Sequence, residues 1–344
     1  MTRLPAHPAA MPVVPSPALW LNRRNRDHRG MIMQGTLTCA EESRAAGDML
    51  AGTFKPVDTF FLIECSLADE GGWRHNTVKS AAKTGQFAGI LRHLSALPRT
   101  KTLFVRRPSR NGKQFFIART NQPQPQLFQT RLDEYAELLS LDMAALAAGT
   151  RPVVDGRVMT EVDELYAICA NGRHDICCAT YGTPVYQQLA AHAGEDRVWQ
   201  TTHLGGHRLA ATLLAFPQGI AYGHLDAVDA EAIVTNHRAG YLLTHKYRGR
   251  SAYAGHRLDN AAHQAVGAAE ALVRERTRRH RIDELRLHDV QRMADDERRV
   301  RFVADGGAAY TAAVRTSLSP PRLASCGEPP KPLPCHEVAL YPAS

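Results

Sequence analysis

Residues 164–207 read ELYAICANGRHDICCATYGTPVYQQLAAHAGEDRVWQTTHLGGH, and both fold and chemistry turn on how they are read. Glu164-Leu-Tyr-Ala-Ile168 is a short apolar run that predicts a strand leading straight into Cys169. Pro184 to Ala193 predicts a helix, and Val198-Trp-Gln-Thr-Thr202 a second strand leading into His203. Further along, 211–216 and 220–224 predict a hairpin around Pro217-Gln-Gly219, followed by helices at 228–239 and 260–279. The order is β-α-β-β-α, an α/β (α+β) pattern.

The same order is legible upstream. Thr59-Phe-Phe-Leu-Ile-Glu64 predicts a buried strand that ends beside Cys65. A helix is predicted from Thr77 to Leu97, stopped by Pro98, and then a strand over Thr102–Arg106. Asn111-Gly112 marks a hairpin turn into Gln114–Arg119. Leu127–Arg131 adds a strand and Asp133 to Ala148 a helix. Each half thus opens on a strand ending in a cysteine, which points to a degenerate internal duplication. The first copy has Arg74 where the second has Cys178, and it lacks a histidine-rich turn.

Four segments result: an arm at 1–30 broken by Pro5, Pro8, Pro12, Pro15 and Pro17; a first lobe at 31–150; a second at 151–280; and a β extension at 281–344. The prolines argue against a signal peptide, and Met31 or Met33 would make a natural beginning. In the extension, Arg299–Val303 and Tyr310–Arg315 flank Asp305-Gly-Gly307 as strands.

Cys169 and Cys178 enclose eight residues, 24 more lead to His203, and His203-Leu-Gly-Gly-His207 closes the set. Thiolate and imidazole together select zinc or iron–sulfur over magnesium or calcium. Structural zinc favours C-x₂₋₄-C and H-x₃₋₅-H. The histidine pair fits that spacing and the cysteine pair does not. The wider loop suits a 2Fe–2S cluster, whose two irons spread their ligands further than one ion does. Gly205 and Gly206 disfavour a helix, so both imidazoles can converge on one iron. Cys177 reads as a small buried residue, with roles as a substitute ligand or a neighbouring thiol left open. His174 and Asp175 sit in the ligand loop, where hydrogen bonding to a cluster and plain solvation are both open. Tyr247-Arg-Gly-Arg250 reads as a solvated loop, with partner docking as the alternative. Cys326 and Cys335 read as free thiols, with a disulfide or a second metal pair as alternatives.

The chain has 344 residues, 44% of them hydrophobic and 22% charged, which suits two globular domains of ordinary size. The net charge of +8 is scattered over many arginines and comes with no recognition motif, so nucleic acid is not the expected partner. No apolar run reaches the roughly 20 residues that span a bilayer, and a membrane is not expected either. Seven cysteines, an odd number in a long chain, suit a reducing compartment, and a cytoplasmic protein is expected.

The motif Cys169-x₈-Cys178-x₂₄-His203-x-Gly-Gly-His207 resembles the signature of the sucrase/ferredoxin-like family, whose members resemble thioredoxin-like 2Fe–2S ferredoxins. The segment Cys39 to Thr53, the strand Phe61–Glu64 and Trp73 resemble its N-terminal region. Tyr247–Arg250 and Ser325-Cys326-Gly327 resemble its C-terminal region, so the likeness covers most of residues 35 to 340. The chain departs from the family around Cys65 and Glu70-Gly-Gly72. The resemblance implies two thioredoxin-like lobes, the second holding a 2Fe–2S cluster on Cys169, Cys178, His203 and His207. It implies a one-electron carrier rather than an enzyme. Two neutral imidazoles in place of two thiolates raise the potential and couple reduction to protonation. No carboxylate pair supports a glycosidase. No nucleotide motif is present, so donor and acceptor are expected to be separate proteins. Two other classes stay open. One is a thiol-dependent oxidoreductase of thioredoxin type using Cys177 or Cys178, against which the missing Cys-x-x-Cys argues. The other is a zinc-stabilised interaction module. Colour separates both from a cluster protein.

Overall fold

The computed structural model describes residues 37–65, 77–83, 85, 87–108 and 112–341. The arm, Glu70-Gly-Gly72, Trp73, Arg74 and Asn111 lie outside these residues. Helix α1 (Cys39–Ala45) starts at a capping box in which Thr38 and Glu41 satisfy each other's backbone N–H groups. It leads to β1 (Thr59–Glu64), which is apolar on both faces. Phe61 and Ile63 enter one core while Phe60 and Leu62 enter another, as a strand covered on both sides requires. Helices α2 (Thr77–Ala81) and α3 (Phe87–Leu94) carry the chain to β2 (Thr100–Arg106), parallel to β1. Strand β3 (Gln114–Arg119) returns antiparallel on the other side of β1, and β4 (Gln126–Arg131) pairs with β3. A 3₁₀ turn (Tyr135–Ser140), α4 (Met143–Ala147) and the short strands β5 (Val153–Val154), β6 (Arg157–Val158) and β7 (Thr160–Glu161) close the first half.

The second half repeats the pattern. Strand β8 (Leu165–Cys169), helix α5 (Ile176–Ala193) and strand β9 (Val198–Thr201) form a parallel crossover. Strand β10 (Leu213–Phe216) lies antiparallel to β8, and β11 (Ile220–Tyr222) antiparallel to β10. In each half the first strand is flanked by the second and third, and the fourth lies outside the third. That is the strand order and direction of a thioredoxin-like lobe, present twice. The second strands of the two lobes pair antiparallel, Val105 with Thr201 and Arg106 with Gln200. One ten-stranded sheet therefore runs through both halves, from β7 at one edge to β12 (Tyr247–Arg250) at the other. Helix α6 (Asp229–Arg238) precedes β12, and α7 (Asn260–Thr277) follows it. The C-terminal sheet β13 (Leu285–Arg292), β14 (Glu297–Ala304), β15 (Ala309–Leu318) and β16 (Pro334–Leu340) packs on α7 through a core that includes Val266, Val273, Val300 and Phe302. No helix among the described residues is long and apolar enough to cross a membrane.

Several elements differ from expectation for local reasons. The helix expected over 77–97 is two helices with Gly85 between them at a φ of 70°. The helix expected over 133–148 is a 3₁₀ turn and α4, restarted by Asp142, whose carboxylate caps Ala144 and Ala145. Strands β2 and β3 are not a hairpin, because β1 lies between them. Helix α5 begins at Ile176, eight residues before Pro184, which sits inside it without a backbone donor. Tyr247–Arg250 is a strand, and Tyr247, Arg248 and Gly249 are buried.

Candidate metal centre

Strand β8 ends at Cys169, and a short turn takes the chain into α5. Asp175 caps that helix by accepting the Cys177 N–H at 2.9 Å. The cap places Cys177 and Cys178 in the first helical turn, where consecutive side chains diverge by about 100°. Cys178 therefore turns toward Cys169, and Cys177 toward Cys39 and Cys326. The helix passes so close to β8 that a Cβ at Gly182 would collide with the Cys169 carbonyl. Glycine at that position brings the two thiols together.

The histidines hang on the loop after β9. Gly205 and Gly206 have φ of 103° and 75°, and His207 opens a 3₁₀ turn (His207–Leu209). A Cβ at Gly206 would stand 2.8 Å from Nη2 of Arg248. Arg248, fully buried on β12, donates to the Gly205 carbonyl at 3.1 Å, to the Thr53 carbonyl at 3.2 Å and to Thr53 Oγ1 at 3.1 Å. Lys101 on β2 donates to the Leu204 carbonyl at 2.8 Å. The loop is thus pinned from both lobes. We expect Arg248→Met to strand these acceptors, cost on the order of 1–3 kcal/mol and loosen the histidine loop. A lower urea midpoint is the readout; an unchanged midpoint would discount the anchor.

Four residues singled out by spacing meet through His203. The Cys169 and Cys178 sulfurs and a His203 nitrogen lie within 4.8 Å of one another, with Cys178 Sγ 3.9 Å from His203 Nδ1. The His203 and His207 ring centres are 4.8 Å apart. His174 stacks on His203 at 3.9 Å and brings a third imidazole to the same edge. The thiols are buried and the three rings half-buried. Hydrogen bonding from Cys178, and less strongly from His203, holds the Cys169 thiol well below its ordinary range; the same bond pushes Cys178 up. Burial, then the neighbouring His203, pushes His207 down, toward the neutral form in which imidazole binds metal. His207 Nδ1 is buried with no hydrogen-bond partner, a costly arrangement unless something binds there. Two converging thiols and two imidazoles, one with an orphaned nitrogen, fit a 2Fe–2S cluster of mixed ligation.

Beside this group lies another that spacing did not reveal: Cys39, Cys177, Cys326 and Asp175, with ligand atoms within 4.8 Å of one another. Cys326 does not meet Cys335, and all seven cysteines are free of disulfides.

Fold and site together define a protein of two thioredoxin-like lobes in which two cysteines and two histidines line a pocket of the second lobe. The chain belongs to the sucrase/ferredoxin-like family, whose profile matches residues 50–249. A relative, altered inheritance of mitochondria protein 32 of Meyerozyma guilliermondii, is 32% identical over 101 residues, covering 25% of this chain and 34% of that protein. The chain thus spans about a third of the length of this curated relative. A variant of the thioredoxin-like [2Fe-2S] ferredoxin from Aquifex aeolicus matches at 14% identity with a TM-score of 0.23, over 26% of this chain and all of the other. The fold assignment rests on strand order, not on that likeness.

Proposed function

We propose that this protein transfers single electrons through a 2Fe–2S cluster held by Cys169, Cys178, His203 and His207. The observation that carries the reading is that Cys169 and Cys178 meet at His203, whose ring lies 4.8 Å from that of His207, with His207 Nδ1 left buried and unpartnered. The cluster would supply one-electron redox chemistry, at a potential raised by having two thiolates rather than four. The chain's own residues do the rest. Gly182 admits the helix that presents Cys178, and Arg248 and Lys101 hold the loop that presents the imidazoles. The cysteine side is sealed in the core while the histidine edge is half-exposed. Electrons would therefore pass at the imidazoles, to and from separate donor and acceptor proteins.

Anaerobically purified protein is expected to be red-brown, with about two irons and two sulfides per chain. Its potential is expected to fall by about 59 mV per pH unit wherever one proton accompanies one electron. His207→Cys should lower the potential and flatten that slope, because it adds a thiolate and removes a titrating ring. A colourless, iron-free protein would defeat the reading. A pH-independent potential, unchanged in the variant, would remove His207 from the ligand set.

A further inference from the structure

Three cysteines outside the proposed cluster ligands meet at one point. Cys39 comes from the start of α1, Cys177 from the first turn of α5, and Cys326 from the loop between β15 and β16. Their sulfurs form a nearly equilateral triangle: 3.6 Å from Cys39 to Cys177, 3.5 Å from Cys177 to Cys326, and 3.5 Å from Cys326 to Cys39. These residues lie 138, 149 and 287 positions apart, so local chain geometry does not force the meeting. Asp175, whose side chain is wholly buried, stands beside them with both oxygens 3.9 Å from Cys39 Sγ. It accepts from Cys177 N at 2.9 Å, Cys326 N at 2.9 Å and Ser325 Oγ at 3.2 Å. Among the described residues its one ion-pair partner is His207, at 3.9 Å.

We propose that Cys39, Cys177 and Cys326 bind one zinc ion, with Asp175 completing the shell, at a site separate from the cluster. Tetrahedral zinc, at about 2.3 Å from each thiolate, sets sulfurs about 3.8 Å apart, within a few tenths of the triangle seen here. A multi-iron cluster would draw the thiolates onto separate irons and spread them. A disulfide needs sulfurs at about 2 Å and would leave the third cysteine over. Copper(I) also takes thiolates, but the carboxylate oxygen favours zinc. A carboxylate offers about four lone-pair positions, and the three donors leave one for the ion. The ion would supply the positive charge that a buried carboxylate beside three thiols otherwise lacks. Each metal-bound thiol releases its proton on binding.

The site would act as a clip. It ties α1 and the C-terminal loop to the first turn of α5, the turn that also carries Cys178. A second fastening follows the same path, since Leu323 N donates to Glu42 Oε1 at 3.1 Å. Cys39 and Cys326 both lie outside residues 50–249, so the clip uses chain beyond the family-matched segment.

The test is elemental analysis and zinc-edge X-ray absorption on the anaerobically purified full chain, reconstituted with zinc sulfate. About one zinc per chain is expected, in a shell of three sulfurs at about 2.3 Å and one lighter atom. Cys39→Ser and Cys326→Ser should each lose that zinc, while Cys335→Ser keeps it. Wild-type protein that takes up no zinc, or a disulfide between any two of the three cysteines in the intact mass, would overturn the proposal. So would zinc in a shell of two sulfurs and two nitrogens, which would mean that the ion had entered the Cys169–His207 pocket. The wild-type shell decides even if the variants fail to fold. Iron is counted in the same sample, so zinc without iron would defeat the electron-transfer reading and leave this one standing.

Discussion

Cys178→Ser is expected to give a colourless protein with iron near zero, while Cys177→Ser retains its iron. The two cysteines are neighbours in sequence, and both are buried. What separates them is the helix. Asp175 starts α5 at Ile176, and one step along the helix turns the side chain by about 100°. Cys178 Sγ then lies 3.9 Å from His203 Nδ1 and within 4.8 Å of Cys169 Sγ, whereas Cys177 Sγ lies 3.5–3.6 Å from Cys326 and Cys39. A serine hydroxyl is a much weaker ligand for iron than a thiolate, because soft sulfur is what iron–sulfur sites select. Cys169→Ser should match Cys178→Ser, since in the proposed site Cys169 would supply the other thiolate. Iron and sulfide in the three variants, purified anaerobically, decide the matter. Loss of iron from Cys177→Ser with retention in Cys178→Ser would shift the ligand assignment by one residue.

What could be read from the sequence follows the range of the forces involved. Strands β1, β8 and β9 are short apolar runs and fall within a residue or two of expectation. The Cys169–His207 spacing is local enough to name a pocket. The parallel crossover that puts β1 between β2 and β3 was hidden, because Gly112 suggests a hairpin and nothing local reports the strand that intervenes. The start of α5 is not legible because Pro184 looks like a beginning, whereas the Asp175 cap lies inside the Cys169–Cys178 loop. Arg248 was misread for a different reason. An arginine in a Tyr-Arg-Gly-Arg run suggests a solvated loop, yet here it donates to Thr53 and Gly205, 195 and 43 residues away in the chain. The Cys39–Cys177–Cys326 triangle is the extreme case: contacts across up to 287 residues leave no spacing to read.

The same long-range logic gives the largest expected effect on stability, at Glu270 on α7. Its carboxylate is buried and accepts Tyr247 Oη at 2.7 Å, Tyr253 Oη at 2.8 Å, Arg250 Nε at 3.0 Å and Arg274 Nε at 2.9 Å. Burial alone would raise its pKa. Arg250 and Arg274 reverse that, with help from the two tyrosines, and push it down to about 2. Tyr247 and Arg250 flank Arg248 on β12, so this hub also braces the strand that anchors the histidine loop. Glu270→Gln should leave two guanidiniums without their counter-charge and cost roughly 3–5 kcal/mol, as broken buried pairs do. The pH dependence has a definite sign. A carboxylate with a depressed folded pKa contributes stability that is complete above its ordinary pKa, near 4.5, and lost as pH falls toward about 2. Wild-type stability should therefore decline across that window, and the gap to Glu270→Gln should close with it. Urea unfolding followed by circular dichroism, from neutral pH down to about pH 3, measures both effects. A variant within about 1 kcal/mol of wild type at neutral pH, or a gap that stays constant on acidification, would mean that the two arginines find other partners once the carboxylate charge is gone.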